Sequence, residues 1–206
     1  MPHPSPRLIL ASRSLRREQL LRQAGYRFEV ITPEVNEAVG ACSNCGPAEL
    51  VATLAMEKAG DVARRCDPAA GPAIVIGCDT VVECQGQILG KPHDEQHARE
   101  ILRLLSGRRH RVYSGVCVWP VPAGEAEVEV EITTLTMDKL TQAQLQEYLE
   151  SGLWRGKAGA FGYQDRHGWV HLLQGSESNV VGLPMELLSQ MLKRHGVPPS
   201  ARGNPA

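Results

Sequence analysis

The sequence predicts an α/β fold in which a mixed, twisted sheet is flanked by helices. In the first half of the chain, short apolar runs alternate with amphipathic helical patterns, as in strands joined by helices. Two strand-like segments then follow each other, His110 to Trp119 and Glu127 to Met137. The second alternates glutamate with valine and isoleucine, which is typical of a half-exposed antiparallel strand. A chain of 206 residues is long enough to bury a substantial core.

Composition sets the expected domain boundaries. Three prolines in residues 1–6 predict a flexible N-terminus, and the stretch after Pro198 predicts a disordered tail over residues 198–206. We therefore expect a single α/β domain over residues 7–197. No internal repeat divides this range.

Charge and hydropathy narrow the class of protein. The net charge of −1 argues against a broad nucleic-acid-binding surface. The sequence has no apolar run long enough to span a membrane and no apolar secretory signal at its start, so we expect a cytoplasmic protein. Six cysteines include one C-x2-C, Cys42 and Cys45, without a second pair at zinc-finger spacing. A single pair favours reduced thiols over a metal or redox site.

The first strand and the first helix meet at a basic segment. Arg7 to Ala11 is a short apolar strand, and the helical pattern that follows stops at Gly25, a C-terminal signal. Ser12 or Ser14 can cap the start of this helix, and three arginines crowd the same junction. Backbone N–H groups at a helix N-terminus attract anions, and guanidinium groups donate forked hydrogen bonds to phosphate oxygens. The segment therefore favours a phosphate site; a solvated basic first turn is the alternative.

A second strand and a long helix come next. The pattern from Tyr26 to Ile31 predicts a strand, and the apolar stripe from Pro47 to about Arg65 predicts a helix. Lys58 lies near that stripe, where a lysine that extends to solvent is the plain interpretation. The loop from Pro33 to Glu37 carries two carboxylates, and exposed loop acids are usually only solvated.

The most distinctive stretch runs from Ile74 to Pro92. A β-branched run ends at Gly77, a second run extends from Thr80 to Cys84, and a hairpin follows. Asp79 comes where the first run ends, and Lys91 comes just after the hairpin. These two side chains can face one cleft, where the carboxylate would hold a metal or deprotonate water and the lysine would neutralise phosphate charge.

The rest of the chain adds a glycine-rich loop between further helices and strands. Asp94 is a plausible cap for a helix that ends at Gly107, and Thr141 begins a capping box for a helix that ends near Gly152. The loop from Gly156 to Gln164 has three glycines in seven residues, which lets a backbone approach a ligand closely but is a weak signal alone. A strand over Trp169–Leu173, a loop over Gly175–Asn179 and a last helix that ends at Gly196 complete the chain.

Three sets of motifs occur in order along the chain. They are LILASRSLRREQLL (Leu8–Leu21), IGCDTVVECQGQILGKP (Ile76–Pro92) with LSGRRHRVYSGV (Leu105–Val116), and GKAGAFGYQ (Gly156–Gln164) with SNVVGLP (Ser178–Pro184). Together they resemble the Maf family of nucleoside triphosphate pyrophosphatases over about Leu8 to His195. The resemblance implies an elongated, two-lobed architecture like that of inosine triphosphatase, with a central cleft and often a homodimer.

The resemblance also implies an activity and a set of site residues. The reaction would be hydrolysis of a nucleoside triphosphate to the monophosphate and pyrophosphate, with a divalent cation such as Mg²⁺ or Mn²⁺. By position, Asp79 matches the general base of the family. The implied substrate-binding residues are Ser12, Arg16, Arg17, Lys58 and Lys91. Glu37 matches a further polar residue of the cleft, and with Asp79 it would hold the metal ion.

Three positions indicate a branch of the family. The branch similar to dTTP/UTP pyrophosphatases carries Arg, Thr and Gln where this chain has Arg16, Thr80 and Gln164. The branch that acts on 7-methyl-GTP typically has Trp and Gln at the first two positions and lacks the third. The resemblance therefore favours pyrimidine nucleotides, with Thr80 and Gln164 hydrogen-bonded to the base. A glutamine amide offers a donor and an acceptor, as do uracil and thymine.

Four residues depart from the pattern of the family. Leu15 replaces the proline of Ser-Pro-Arg-Arg, Cys78 an alanine, Gly156 an aspartate and Tyr163 an apolar residue. The groups that would carry the chemistry are still present.

Two other functions stay open from the sequence. One is a nucleotide-binding regulator of septum formation and cell division with low turnover. The other is a broader-range nucleotide house-cleaning enzyme that accepts modified pyrimidines. Phosphate release coupled to added inorganic pyrophosphatase separates the regulator from an enzyme, and a panel of triphosphates separates the broader-range enzyme.

Overall fold

The computed structural model describes residues 6–35, 45–165 and 167–199. Within these ranges one sheet contains seven strands. The strands are β1 (Arg7–Ala11), β2 (Glu29–Val30), β3 (Ala73–Cys84), β4 (Gln87–Leu89), β5 (Arg109–Val121), β6 (Glu127–Met137) and β7 (Val170–Gln174). The α-helices are α1 (Leu15–Gln23), α2 (Pro47–Arg65), α3 (Glu95–Leu105), α4 (Gln142–Glu150), α5 (Glu177–Val181) and α6 (Met185–Arg194).

The sheet is mixed, as the sequence predicts. Its strand order is β2-β1-β3-β5-β6-β7, and β4 also pairs with β3. Strand β1 pairs in parallel with β2 and β3. Parallel strands need a crossover connection, and α1 connects β1 to β2 while α2 connects β2 to β3. The pairs β3–β5, β5–β6 and β6–β7 are antiparallel. The α/β prediction is confirmed.

The long central strand β3 has a break in its pairing along one edge. On one side, β5 pairs with it from Ala73 to Glu83. On the other side, β1 pairs with Ala73–Gly77, and β4 pairs with Val82–Cys84. Residues Cys78–Val81 therefore have no strand partner on this edge within the described part of the chain. We call these four residues of β3 the sheet gap.

Helices cover both faces of the sheet. On one face, α2 packs Ala55, Ala59 and Val62 against β1, β3 and β5. On the other face the core is divided: α1 and α6 pack on one end of β3, whereas α3 and α4 pack near Val82. The division lies at the same level as the sheet gap, so a cleft opens between two lobes of one sheet.

Most elements agree with the sequence prediction, and three differ. The helix over Pro47–Arg65 has the predicted bounds, and the Thr141 capping box is present. Strand β2 covers only Glu29–Val30, because β1 pairs with no more of this edge. Strand β3 is continuous where an interruption was expected, since β5 pairs with it throughout. Helix α5 occupies a stretch that was expected to begin as a loop.

The remaining predictions on cysteines and chain ends have mixed outcomes. Cys66, Cys78, Cys84 and Cys117 are free thiols, as expected, whereas Cys45 is disulfide-bonded, so the expectation of a reduced thiol is wrong there. The flexible start and the disordered tail fall largely outside the described residues. Among the helices that the structure describes, none is sufficiently long and apolar to cross a membrane.

Candidate active site

A cleft of about 600 Å³ lies at the sheet gap. Ser12, which follows β1, lines it from one lobe, and Lys91, which follows β4, lines it from the other. The first turn of α1, the Gly156–Gln164 segment and the end of α5 complete the walls. Strands β1 and β4 pair with β3 on either side of the sheet gap, so the residues that follow these strands reach the same cleft although they are far apart in the sequence.

Asp79 and Lys58 form a buried ion pair beside this cleft. The Lys58 ammonium lies 2.6 Å from Asp79 Oδ1, and the two side chains are only 5% and 10% exposed. Asp79 belongs to the sheet gap, and the cleft there leaves room for a ligand. The prediction that Asp79 follows the end of a strand is wrong, because β3 continues through it. The strand that ends nearby is β1, whose last residue Ala11 pairs with Gly77.

Two glycines bring α2 close enough for this ion pair. A Cβ atom on Gly115, which lies opposite Asp79, would be 2.2 Å from the Val51 carbonyl oxygen of α2. A Cβ atom on Gly77 would be 2.1 Å from the Ala55 oxygen. No side chain fits at these distances, so the helix rests directly on the sheet around Asp79. The stripe of α2 that packs there also carries Lys58.

The start of α1 presents a serine cap and two arginines to the cleft. The Ser14 hydroxyl accepts a hydrogen bond from the Arg17 backbone N–H at 3.5 Å, which confirms it as the cap. Arg16 Nη2 donates to the Gly156 carbonyl at 2.9 Å across the cleft. Burial, followed by the charge of Arg17, lowers the pKa of Arg16 from its usual value. An anion bound between the two guanidinium groups would relieve their repulsion.

Arg17 is held by the end of α5 and by the sheet gap. Its Nε donates to the Gly182 carbonyl at 2.7 Å, and its Nη2 donates to the Thr80 hydroxyl at 3.1 Å. Its Nη1 lies 3.5 Å from the Ser12 hydroxyl. Successive residues of a strand point to opposite faces. Thr80 and Arg17 therefore line the face opposite to Asp79 and Lys58, and the sheet gap connects the two faces.

The glycine-rich loop is closed by a second buried ion pair. Lys157 pairs with Asp165, and Tyr148 of α4 donates to the same carboxylate at 3.3 Å. This pair crosses directly over Gly162, where a Cβ atom would lie 2.4 Å from both charged groups. The Gly159 N–H also donates to the Gly90 carbonyl at 3.0 Å, which attaches the loop to the segment that carries Lys91. Gln164 is consequently held at the mouth of the cleft.

The cleft has a net positive lining, although two of its lysines, Lys58 and Lys157, are paired with Asp79 and Asp165. Seven of its described lining residues are arginine or lysine, and none is aspartate or glutamate. The seven are Arg13, Arg16, Arg17, Lys58, Lys91, Arg155 and Lys157. A cleft lined by one sign of charge concentrates a ligand of the opposite sign. The lining therefore fits a polyanion such as a chain of phosphates.

The comparison with known families decides to which group the chain belongs. A family model described as Maf-like protein matches residues 7–195. The chain belongs to the Maf-like protein family. The match includes the sheet gap, the basic start of α1 and the glycine-rich loop, so the resemblance seen in the motifs is confirmed.

Several relatives in the family carry names that state an activity. The dTTP/UTP pyrophosphatase of Rhodopirellula baltica is 50% identical over 193 residues, which cover 93% of this chain and 83% of that protein. The dTTP/UTP pyrophosphatase of Symbiobacterium thermophilum is 45% identical over 193 residues, 93% of this chain and 95% of that protein. The dTTP/UTP pyrophosphatase of Alkaliphilus metalliredigens is 40% identical over 190 residues, which cover 92% of this chain and 96% of that protein.

Most residues predicted for the site lie together in this Maf-like chain. Ser12, Arg16, Arg17, Lys58, Thr80, Lys91 and Gln164 line one cleft, and Asp79 is bonded to Lys58. Glu37 lies outside the described residues, so its place in the site stays a prediction. Their roles in substrate binding, specificity and catalysis also stay predictions.

Sequence reasoning missed a second set of polar residues that supports the site. Ser114 and Asn179 are completely buried, and Lys157 and Asp165 form the ion pair that closes the loop. The available signal was a polar residue inside an apolar strand or next to glycine, as in the Tyr-Ser-Gly-Val segment of β5. Such a residue needs partners from elsewhere in the fold, which one sequence does not reveal.

Proposed function

We propose that this protein is a nucleoside triphosphate pyrophosphatase that hydrolyses dTTP and UTP to the monophosphate and pyrophosphate. The observation that carries the proposal is the cationic cleft at the sheet gap, next to the buried Asp79–Lys58 pair. Its volume of about 600 Å³ is in the range of sites for small ligands. The names of the relatives from Rhodopirellula baltica and Symbiobacterium thermophilum supply the reaction and the substrates.

Asp79 has the role of general base in this proposal. The Lys58 ammonium holds Asp79 Oδ1 at 2.6 Å and so fixes the orientation of the carboxylate. Asp79 then orients a water molecule in line with the α-phosphorus and takes its proton. Lys58 lines the cleft, where it also attracts phosphate oxygens.

Basic side chains on the side of the cleft away from Asp79 stabilise the departing pyrophosphate. Arg16 and Arg17 lie at the start of α1, where the helix N-terminus adds a positive partial charge. Lys91 lies on the other lobe. Charge that develops on the leaving group is best stabilised by donors that are already in place, and hydrogen bonds to Gly156 and Gly182 hold both guanidinium groups.

A divalent cation can bind here only if phosphate oxygens of the substrate supply some of its ligands. Within the described ranges no group of three or more His, Cys, Asp or Glu side chains could hold a metal ion, and Asp79 is the carboxylate at the sheet gap. Mg²⁺ binds through one or two carboxylates, with phosphate oxygens and water as the other ligands. Asp79 would supply one ligand, and Glu37 is the second that the resemblance implies. The cation would neutralise charge on the phosphates.

Gln164 is our proposed contact to the pyrimidine base. It is exposed and lines both the cleft and an adjoining cavity of about 610 Å³, so its amide can reach a base whose phosphates lie among the arginines. Uracil and thymine present an acceptor where cytosine presents a donor. A site arranged for the acceptor leaves polar groups unpaired with cytosine.

A panel of dTTP, UTP, CTP and GTP tests the proposal, with products identified as monophosphate and pyrophosphate. We expect dTTP and UTP to be hydrolysed about ten- to a hundred-fold faster than CTP. Gln164→Ala should reduce the UTP-to-CTP ratio more than the rate itself, because the phosphate contacts are intact. The absence of hydrolysis of any triphosphate would exclude the enzyme and favour a nucleotide-binding regulator. Equal rates for all four would favour a broad-range enzyme.

The same proposal implies a cytoplasmic location, where these nucleotides are made and used. The homodimer that the resemblance implies is a separate prediction. Light scattering on the purified protein measures it directly.

A further inference from the structure

Two hydroxyl side chains meet inside the sheet beside Arg17. Thr80 of β3 lies directly opposite Ser114 of β5 in the antiparallel register, and their hydroxyl oxygens are 2.8 Å apart. Ser114 is completely buried, and Thr80 is partly buried. Buried hydroxyl groups occur with hydrogen-bond partners. The partners of this pair lead directly to the phosphate end of the cleft.

The carbonyl of Gly182, just after α5, connects this pair to Arg17. Arg17 Nε donates to the carbonyl oxygen at 2.7 Å, and the Thr80 hydroxyl lies 3.3 Å from the same oxygen. Arg17 Nη2 donates to Thr80 Oγ1 at 3.1 Å. The guanidinium, the hydroxyl and the carbonyl thus form a closed ring of contacts. We call these three groups together with Ser114 the Arg17 ring.

One orientation of the hydroxyl hydrogens satisfies every contact in the Arg17 ring. A threonine hydroxyl has one hydrogen to donate and two lone pairs that accept. Arg17 uses one lone pair of Thr80. If the Thr80 hydrogen goes to Gly182, Ser114 must donate to the second lone pair. In this orientation the direction of donation is from Ser114 to Thr80 to Gly182, and Ser114 fixes which way the Thr80 hydroxyl points.

We propose that Ser114 and Thr80 are positioning residues that orient Arg17 toward the phosphates of the substrate. The proposal rests on the proposed function, because it assigns the phosphates to the Arg17 side of the cleft. Nε, one N–H of Nη2 and one N–H of Nη1 contact the protein, so the guanidinium plane is fixed. One N–H of each terminal nitrogen is then available for phosphate oxygens. A guanidinium that is already oriented loses less conformational entropy when it binds phosphate.

This role competes with a direct contact between Thr80 and the base. Both lone pairs and the single hydrogen of the Thr80 hydroxyl are used within the Arg17 ring. Thr80 has no further hydrogen-bonding capacity for a pyrimidine while Arg17 is docked. Thr80 should therefore affect every triphosphate equally, and a phosphate chain without a base should detect its loss.

Inorganic tripolyphosphate is the probe that separates the two roles, because it carries the phosphates and no base. We expect Ser114→Ala to weaken its binding about ten-fold, as measured by calorimetry, through the loss of one hydrogen bond. Thr80→Val should weaken it at least as much, because it removes all three contacts of the Thr80 hydroxyl. Thr80→Ser keeps the hydroxyl and should bind like the wild type. In an Arg17→Ala background, Ser114→Ala should have no further effect, because Ser114 acts through Arg17.

Three results would overturn the proposal. The first is a Ser114→Ala variant that binds tripolyphosphate with wild-type affinity. The second is a Ser114→Ala change that lowers this affinity by the same factor in the wild-type and in the Arg17→Ala background. The third is a Thr80→Val variant that changes the UTP-to-CTP ratio but not tripolyphosphate binding. The last would make Thr80 a reader of the base. If the wild type binds tripolyphosphate but hydrolyses no triphosphate, only the proposed function fails. If it hydrolyses dTTP and UTP but does not bind tripolyphosphate, only the proposal on Arg17 fails.

Two further variants control for damage to the fold. Cys117→Ala removes a buried side chain from the same strand, on the face that packs against α2, and should bind tripolyphosphate like the wild type. Ser114→Cys keeps the size of the side chain but is a weak donor. If Ser114→Ala does not fold, Ser114→Cys should show the same loss of affinity at normal stability, and wild-type affinity there would overturn the proposal.

Discussion

The Asp79–Lys58 pair affects both the stability of the fold and the proposed catalysis. Both are almost completely buried, and the charged atoms are 2.6 Å apart. A buried ion pair contributes little compared with an apolar pair of the same size, but the loss of one partner is costly. The carboxylate that we propose as the base is therefore also needed to compensate a buried ammonium.

Variants at these two residues separate the two contributions. Asp79→Asn should lower turnover about 10²–10⁴-fold, because the amide cannot take a proton. It should also lower the free energy of unfolding by about 3–5 kcal/mol, because the Lys58 ammonium loses a charged partner. The double variant Lys58→Met/Asp79→Asn should recover much of the stability and none of the activity. Urea unfolding and dTTP hydrolysis measure the two effects. Normal turnover in Asp79→Asn would show that the base lies elsewhere.

At the scale of elements, the position of α2 and the continuity of β3 depend on each other. The helix rests on Gly77 and Gly115, and this contact brings Lys58 to Asp79. The bounds of α2 were predictable, because the apolar stripe and the proline at its start are local features. The continuity of β3 was not, because glycine and aspartate look like a break in a strand. They are tolerated since β5 supplies the pairing and α2 occupies the space of the missing side chain.

Gly115→Ala tests how closely α2 must pack. The new methyl group would meet the Val51 carbonyl at 2.2 Å, so the helix must move away from the sheet. We expect a loss of about 1–3 kcal/mol in the free energy of unfolding, with a fall in turnover as Lys58 moves away from Asp79. Gly46→Ala, where nothing lies within 4 Å of the new atom, is the control for a methyl group that meets no neighbour; Gly46 is the N-cap of α2, so only the small cost of an alanine cap is expected there. An equal, small effect in both variants would show that the close packing does not matter.

At the scale of the whole molecule, one buried histidine connects pH to stability. His110 of β5 is 2% exposed, its Nε2 has no hydrogen-bond partner among the described residues, and its ring lies edge-on to Phe161 of the glycine-rich loop. Burial lowers its pKa from 6.5 to about 4. Between these values the unfolded chain binds more protons than the folded protein, so the stability falls as the pH falls.

Denaturation at several pH values measures this effect. From pH 7 to pH 5, the titration of His110 should remove about 2 kcal/mol from the free energy of unfolding. His110→Phe keeps an aromatic ring and cannot titrate, so its stability should depend less on pH over this range. If the two proteins have equal slopes, His110 is not the group that is responsible.

The assembly of the site was the part that the sequence alone could not predict. The resemblance supplied the residues, and seven of the predicted ones line a single cleft. Which lobe carries each of them depends on where β1 ends and where β4 begins along β3. The supporting residues Ser114 and Lys157 were missed because their partners lie at positions 80 and 165, a pairing that only the fold creates.

The sheet gap also bears on solubility. An open strand edge can pair with a strand of another molecule and lead to aggregation, and proteins limit this with short edges and charged side chains, especially lysine. The edge left open by Cys78–Val81 is only about 13 Å long at 3.3 Å per residue. It faces a cleft lined by arginines and lysines, which would repel a second copy that brought the same cleft toward it. The cations that we assign to phosphate binding thus also protect the central strand of the sheet from association with other chains.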